Sequence, residues 1–257
     1  MRRLRNSARD LSLAARRRIP FGGDRFRLGL EDPRAPLASD MDVDSTTLLL
    51  AFGGMAGKLD IPPFEFFSLT GEMPVKRLFV RDLRRAWYHR GVPRHGETIP
   101  AVAASLAELV ERQPIERLVV VGTSAGGYAA LLFGSMLGAD TVLSFCPQTT
   151  LDREQLAAMG DERWDEQLGP IRAAGDLDEE WADVRRKLPE LRRADTAYEL
   201  FYDGNFELDR IQAEHLDGLP GVALCPFDGG KHLVARAMRD SGDLGRVLSR
   251  ALALRAG

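Results

Sequence analysis

Apolar residues along the chain gather into short continuous runs: "TTLLLAF", "VKRLFV", "RLVVVG", "TVLSFC", "AYELFY" and "GVALCPF". Runs of about four to eight apolar residues bounded by Gly, Pro or Asp are the pattern of strands buried on both faces. Between them lie "IPAVAASLAELVERQ", "AGGYAALLFGSML" and "DRIQAEHL", which have helical spacing. The last stretch, "LVARAMRDSGDLGRVLSRALA", reads as one closing helix. This alternation predicts an α/β fold with a mostly parallel central sheet covered by helices on both faces. Residues 25–44, mixed and rich in Asp and Pro, predict short edge strands and turns. From about 151 to 195 no strand-like run occurs, and the spacing predicts a few short helices forming a lid insertion. Neither repeats nor a linker interrupt the pattern, so residues 25–257 read as a single domain.

Composition narrows the setting. The chain has 257 residues, 44% hydrophobic and 28% charged, with a formal net charge of −3. That balance suits a soluble domain and gives no whole-protein reason to expect nucleic acid. No apolar run approaches the roughly 20 residues of a membrane helix. Cys146 and Cys225 form neither a C-x-x-C pair nor a disulfide framework, so a reducing, cytoplasmic compartment is expected. Residues 1–24 form a separate basic arm, in which Asp10 is the single acid among the arginines of the first eighteen residues. Its apolar stretch "LSLAA" is too short for a secretory signal, and a solvated or loosely docked arm is expected.

In parallel sheets the working residues collect on loops at the carboxyl ends of strands. One such loop is Gly122-Thr123-Ser124-Ala125-Gly126, a G-x-S-x-G string with a strand before it and a helix after it. A serine hydroxyl is a weak nucleophile and must be exposed to both a base and a carbonyl, which a sharp turn provides. Its competing reading is a plain glycine turn or a phosphate loop. A P-loop fails, because "FGGMAGKL" has Phe52 where the first glycine belongs and Leu59 after the lysine.

The base must come from His89, His95, His215 or His232. His232 follows the strand "GVALCPF" through "DGGK" and lies on the working edge, whereas His215 falls in a helix and His89 and His95 precede the serine. The third group should be a carboxylate that orients the imidazole. Asp203, at the end of "AYELFYD", and Asp209, at the start of "DRIQAEHL", both qualify by spacing. Asp209 with Gln212 three residues on also makes a capping box, an entirely structural role.

The order serine, aspartate, histidine, with this elbow and this alternation, resembles the α/β-hydrolase superfamily from about residue 45 onward. Within it, "VGTSAGGYAALLFG" followed by "SFCPQT" is similar to a bacterial branch in which the acid precedes the penultimate helix, which favours Asp209. The resemblance implies an oxyanion hole from the Ala125 amide and that of Gly54 or Met55, in the loop after the first central strand. Relatives often have His-Gly there, where this chain has Phe52-Gly53. It also implies a serine hydrolase cleaving an ester, thioester or related acyl bond, with an acyltransferase or a non-catalytic binding protein as the alternatives. No metal or organic cofactor is implied; the expected partner is a small acyl substrate, and oligomeric state is left open. The loop "RDLRRAWYHRGVPRHG" places Arg81, Trp87 and Tyr88 on the working edge, where they are candidate substrate contacts.

Overall fold

The computed structural model describes residues 32, 35–55, 66–193 and 195–254. The basic arm at 1–24 lies outside the described residues. The apolar runs are strands: β1 (Leu37–Asp40), β2 (Thr47–Phe52), β3 (Lys76–Val80), β4 (Arg117–Thr123), β5 (Thr141–Phe145), β6 (Ala197–Asp203) and β7 (Val222–Phe227). They join in one sheet of order β1-β3-β2-β4-β5-β6-β7. Every neighbouring pair is parallel except β1 with β3, so the mixed region near the N-terminus supplies an antiparallel edge.

Side chains alternate across a strand, so β2 to β5 serve two cores at once. On one face Leu48, Leu50, Val120 and Val142 pack against α1 (Ile99–Glu111) and α2 (Ala125–Leu137). On the other, Leu49, Phe79, Val119, Val121 and Leu143 meet Met238, Leu244 and Leu248 of the C-terminal helices. Strands covered on both faces must be apolar throughout, which is why these runs do not alternate. Helix α1 starts where Thr98 accepts from the Ala101 amide, with a proline in its first turn. Helix α2 is buried from Ala125 to Ser135.

Three short helices connect β5 to β6: α3 (Arg153–Met159), α4 (Asp165–Ala173) and α5 (Val184–Leu191). Asp152 and Asp183 cap the first and last of them. The excursion closes on itself, because the Leu151 amide donates to Ala182 O (2.7 Å) and the Val184 amide to Thr149 O (2.9 Å). Helix α6 (Glu207–Glu214) then joins β6 to β7.

The closing segment differs from the single helix its periodicity predicts. It is a 3₁₀ turn at Lys231–Leu233, then α7 (Val234–Ser241), then α8 (Asp243–Ala251). Gly242 takes φ 83°, a left-handed geometry that ends α7 and lets α8 start in a new direction. No helix among the described residues is long and apolar enough to cross a membrane.

Candidate active site

Strand β4 delivers the chain into a turn where Ser124 sits at φ 57°, ψ −121°, an unfavourable geometry for a side chain with a Cβ. Close approach of backbone holds it there. A Cβ on Gly122 would stand 2.0 Å from Gly126 O, and one on Gly126 would stand 2.3 Å from Phe52 O. The two glycines are therefore steric requirements of the turn and of its contact with β2. The Ser124 amide donates to Phe145 O at 2.8 Å, which fixes the serine over the end of β5.

The hydroxyl meets an imidazole. Ser124 Oγ lies 2.9 Å from His232 Nε2, and His232 Nδ1 lies 2.9 Å from each oxygen of Asp209. A carboxylate on Nδ1 holds the proton on that nitrogen and leaves Nε2 free to accept from the serine. The other histidines are engaged elsewhere: His89 with Tyr128, His95 with Ser105, and His215 with Asp183.

The two candidate acids thus separate. Asp203 is not beside the imidazole; it accepts from the backbone amides of Asn205 (2.9 Å), Gly229 (3.3 Å) and Lys231 (2.8 Å), tying down the loop that carries His232. Burial disfavours its charge, but those amides outweigh it and hold the carboxyl below its usual range. The capping box is absent as well. Helix α6 begins two residues before Asp209, and Gln212 turns away to serve the Thr149 amide (2.8 Å) and Asp161 (3.0 Å).

Two residues that the pattern along the chain did not single out complete the surroundings. Arg163, between α3 and α4, donates to Asp209 Oδ1 (2.7 Å) and grips Asp161 with Nε (2.7 Å) and Nη2 (2.8 Å). Burial raises the Asp161 carboxyl, yet the bonds from Arg163 and Gln212 win and hold it low. Gln148, fully buried after β5, directs its amide at Ser124 Oγ and accepts from Trp87 Nε1 at 3.1 Å. Position at a strand's carboxyl end was the available signal for Gln148. For Arg163 no signal existed, since its reach depends on the path of the three-helix excursion. Trp164 closes the near side, with its ring centroid 5.7 Å from that of His232.

The proposed substrate loop is packed inward. Trp87 and Tyr88 have no exposed surface, and the Tyr88 hydroxyl donates to Gly53 O at 2.9 Å. Arg81 donates to Ala35 O at 3.3 Å and braces the edge near β1. The two aromatics are packed inside, Tyr88 edge-on to Phe133 of α2 and Trp87 edge-on to Trp164, while Arg81 is half-buried. Phe52, the departure from His-Gly, is a core residue stacked on Phe133 at 5.0 Å. Only its backbone borders the turn. Beyond the last sheet bond of that strand, Gly53 N to Val80 O (2.9 Å), come Gly54 and Met55, both half-buried. Ala125 is the first residue of α2, where an amide has no acceptor within its own helix.

Among the described residues one cluster has metal-ligand chemistry: donor atoms of Cys146, Asp209 and His232 lie within 4.8 Å of one another. Burial pushes the Cys146 thiol far up, so it stays protonated, and the Arg163 cation already occupies the Asp209 carboxylate. The donors suit a hydrogen-bonded network better than an ion.

No family model matches the chain, and no curated protein matches it in sequence. Solved structures do match in shape. A chain of the Glycosylation Associate Protein (Gap123) complex from Streptococcus agalactiae superposes with a TM-score of 0.59 at 17% identity, covering 83% of this chain and 44% of that one. The chain therefore spans less than half of that protein. The capsule O-acetyltransferase of Neisseria meningitidis serogroup A gives 0.58 at 11% identity, covering 83% and 90%. MGS-MChE2, an α/β-hydrolase enzyme from the metagenome of lagoon sediments at Mar Chica, Morocco, gives 0.50 at 16% identity, covering 84% and 92%. The chain has the α/β-hydrolase fold. In an α/β-hydrolase fold the strand-to-helix turn after a central strand is the usual seat of the nucleophile, and here that turn holds Ser124.

Proposed function

We propose that the protein is a serine-dependent hydrolase or acyltransferase that cleaves an ester, thioester or related acyl bond by way of an acyl-enzyme. The observation carrying this reading is the unbroken relay from Asp209 through His232 to Ser124, with each step at 2.9 Å. Ser124 attacks the acyl carbonyl while His232 Nε2 takes its proton, and Asp209 stabilises the imidazolium that forms. The Ala125 amide, with that of Gly54 or Met55, receives the negative charge on the carbonyl oxygen. His232 then returns the proton to the leaving group and activates the second acceptor. Helices α3 to α5 act as a lid beside the relay, with Trp164 as its contact to His232.

Transfer to a hydroxyl or amine acceptor uses the same groups as hydrolysis. The likeness in shape to an O-acetyltransferase favours including it. Incubation with p-nitrophenyl acetate, with and without sugar acceptors, separates the outcomes by product analysis. Acetate alone identifies a hydrolase, and an acetylated sugar identifies a transferase. A folded protein that forms neither product, or that is as active as Ser124→Ala, leaves a non-catalytic binding protein as the better account.

A further inference from the structure

Gln148 is a polar side chain buried completely against the nucleophile, and its orientation is fixed by a group that can act in only one way. Indole nitrogen only donates, so Trp87 Nε1, 3.1 Å from Gln148 Oε1, compels that oxygen to face the indole. Both ends of the amide reach the hydroxyl, Oε1 at 3.3 Å and Nε2 at 3.1 Å from Ser124 Oγ; with Oε1 taken by the indole, Nε2 is the nearer end and the one that can donate to the serine. The Ser124 proton points the other way, to His232 Nε2 at 2.9 Å. Oγ thus donates to the histidine and accepts from Gln148.

We propose that Gln148 is a catalytic residue that drives deacylation, with Trp87 as its positioning residue; this rests on Ser124 being the nucleophile. In the acyl-enzyme, Oγ is an ester oxygen with little negative charge, so the Gln148 N–H finds a poor acceptor. When water or an alcohol attacks the carbonyl, His232 takes the attacker's proton and a tetrahedral intermediate forms. As that intermediate collapses, the C–Oγ bond breaks, its electron pair passes to Oγ, and His232 Nε2 delivers the proton there. Charge on Oγ rises through this step, and the Gln148 N–H is aimed at it. Run backwards, the same bond holds the free serine and does nothing to help it acylate. The donor therefore lowers the barrier to release and disfavours accumulation of acyl-enzyme, whichever acceptor is used.

Pre-steady-state kinetics with p-nitrophenyl acetate separate the two half-reactions, and intact-protein mass spectrometry counts acetylated enzyme. Gln148→Met keeps the length and bulk of the side chain without the donor. Its acylation rate should stay within about threefold of wild type while deacylation falls about tenfold, the worth of one such hydrogen bond. Acetyl-enzyme should then accumulate. Trp87→Phe frees the amide to rotate and should slow deacylation by a smaller factor, with acylation again spared. Gln148→Glu, which retains the shape with two acceptors and no donor, serves if the methionine variant does not fold and should show the same split. Equal slowing of both half-reactions, or no change in either, overturns the proposal. Failure of the functional reading looks different: the wild type itself would form no acetyl-enzyme at Ser124, and the proposal would fall with it.

Discussion

His89 joins the loop after β3 to the helix behind Ser124 and to the three-helix excursion. Its Nδ1 accepts from the Asp178 amide at 3.1 Å, so in the neutral ring the proton sits on Nε2, which donates to the Tyr128 hydroxyl at 2.8 Å. Tyr128 in turn donates to Trp181 O. A second ring proton would face the Asp178 N–H, and burial leaves it no water; burial lowers the His89 pKa from 6.5 to about 4. Above pH 6.5 the ring is neutral in folded and unfolded chains alike, and the whole contribution is present. As pH falls, the unfolded chain takes up the proton first, so stability is lost until the folded pKa is reached. With 1.36 kcal/mol per pKa unit, linkage predicts a loss of about 2 kcal/mol by pH 5 and about 3 kcal/mol by pH 4 from this ring alone. Urea unfolding followed by tryptophan fluorescence at pH 7.5, 6, 5 and 4 measures it in wild type and in His89→Gln. Carboxylates titrate in both proteins, so the difference between the two curves isolates the histidine. It should shift toward the variant by about 3 kcal/mol across that range, whatever the two stabilities are at pH 7.5. Parallel curves would refute the buried, neutral assignment.

Other expectations concern the site. Asp209→Asn should lower kcat on an acyl ester by about three to four orders of magnitude, because the wrong tautomer faces the serine, while Asp203→Asn should cost less than about tenfold by loosening a loop. Steady-state kinetics compare them, and the reverse order would exchange the roles of the two acids. Arg163→Met removes the cation between Asp161 and Asp209, both almost wholly buried, leaving them to Gln212 and His232, and should destabilise by about 3 kcal/mol in urea unfolding. Adding Asp161→Asn should recover part of that loss, and a single variant as stable as wild type would count against the bridge. Gly126→Ala drives a Cβ to 2.3 Å from Phe52 O, a backbone atom that cannot swing aside. A loss of about 3 kcal/mol and of most activity is expected, read from the unfolding midpoint and the ester assay.

The strands were legible because burial on both faces leaves short apolar runs bounded by Gly, Pro or Asp, and α2, equally apolar, was told from them by its greater length and glycine-rich start. The elbow was legible for a similar reason: Gly122 and Gly126 are demanded by contacts of 2.0 and 2.3 Å, so the glycines mark the turn locally. His232 followed from its place at a strand end. The acid did not, since spacing says where a carboxylate enters a loop and not which way it points. Asp203 and Asp209 both reach that loop; Asp203 is taken by its backbone amides, and Asp209, in the first turn of α6, meets the ring. Gly242 was passed over within the closing helix because apolar spacing resumes on its far side. Trp87 and Tyr88 read as candidate substrate contacts, and both are buried; aromatic residues beside arginines read the same whether a loop covers a pocket or a core. Gln148 was marked only by its place just after a strand's carboxyl end, and Arg163 depends on contacts between segments far apart in the chain, which nothing in local pattern encodes.

The account turns on Ser124 being an activated nucleophile. A fluorophosphonate probe, which reacts with serines made nucleophilic by a neighbouring base, tests this directly when its adduct is located by intact and peptide mass spectrometry. One adduct per chain on Ser124 is expected, absent in Ser124→Ala and strongly slowed in His232→Ala. A folded wild-type chain that takes no label, or takes it at another residue, contradicts the account.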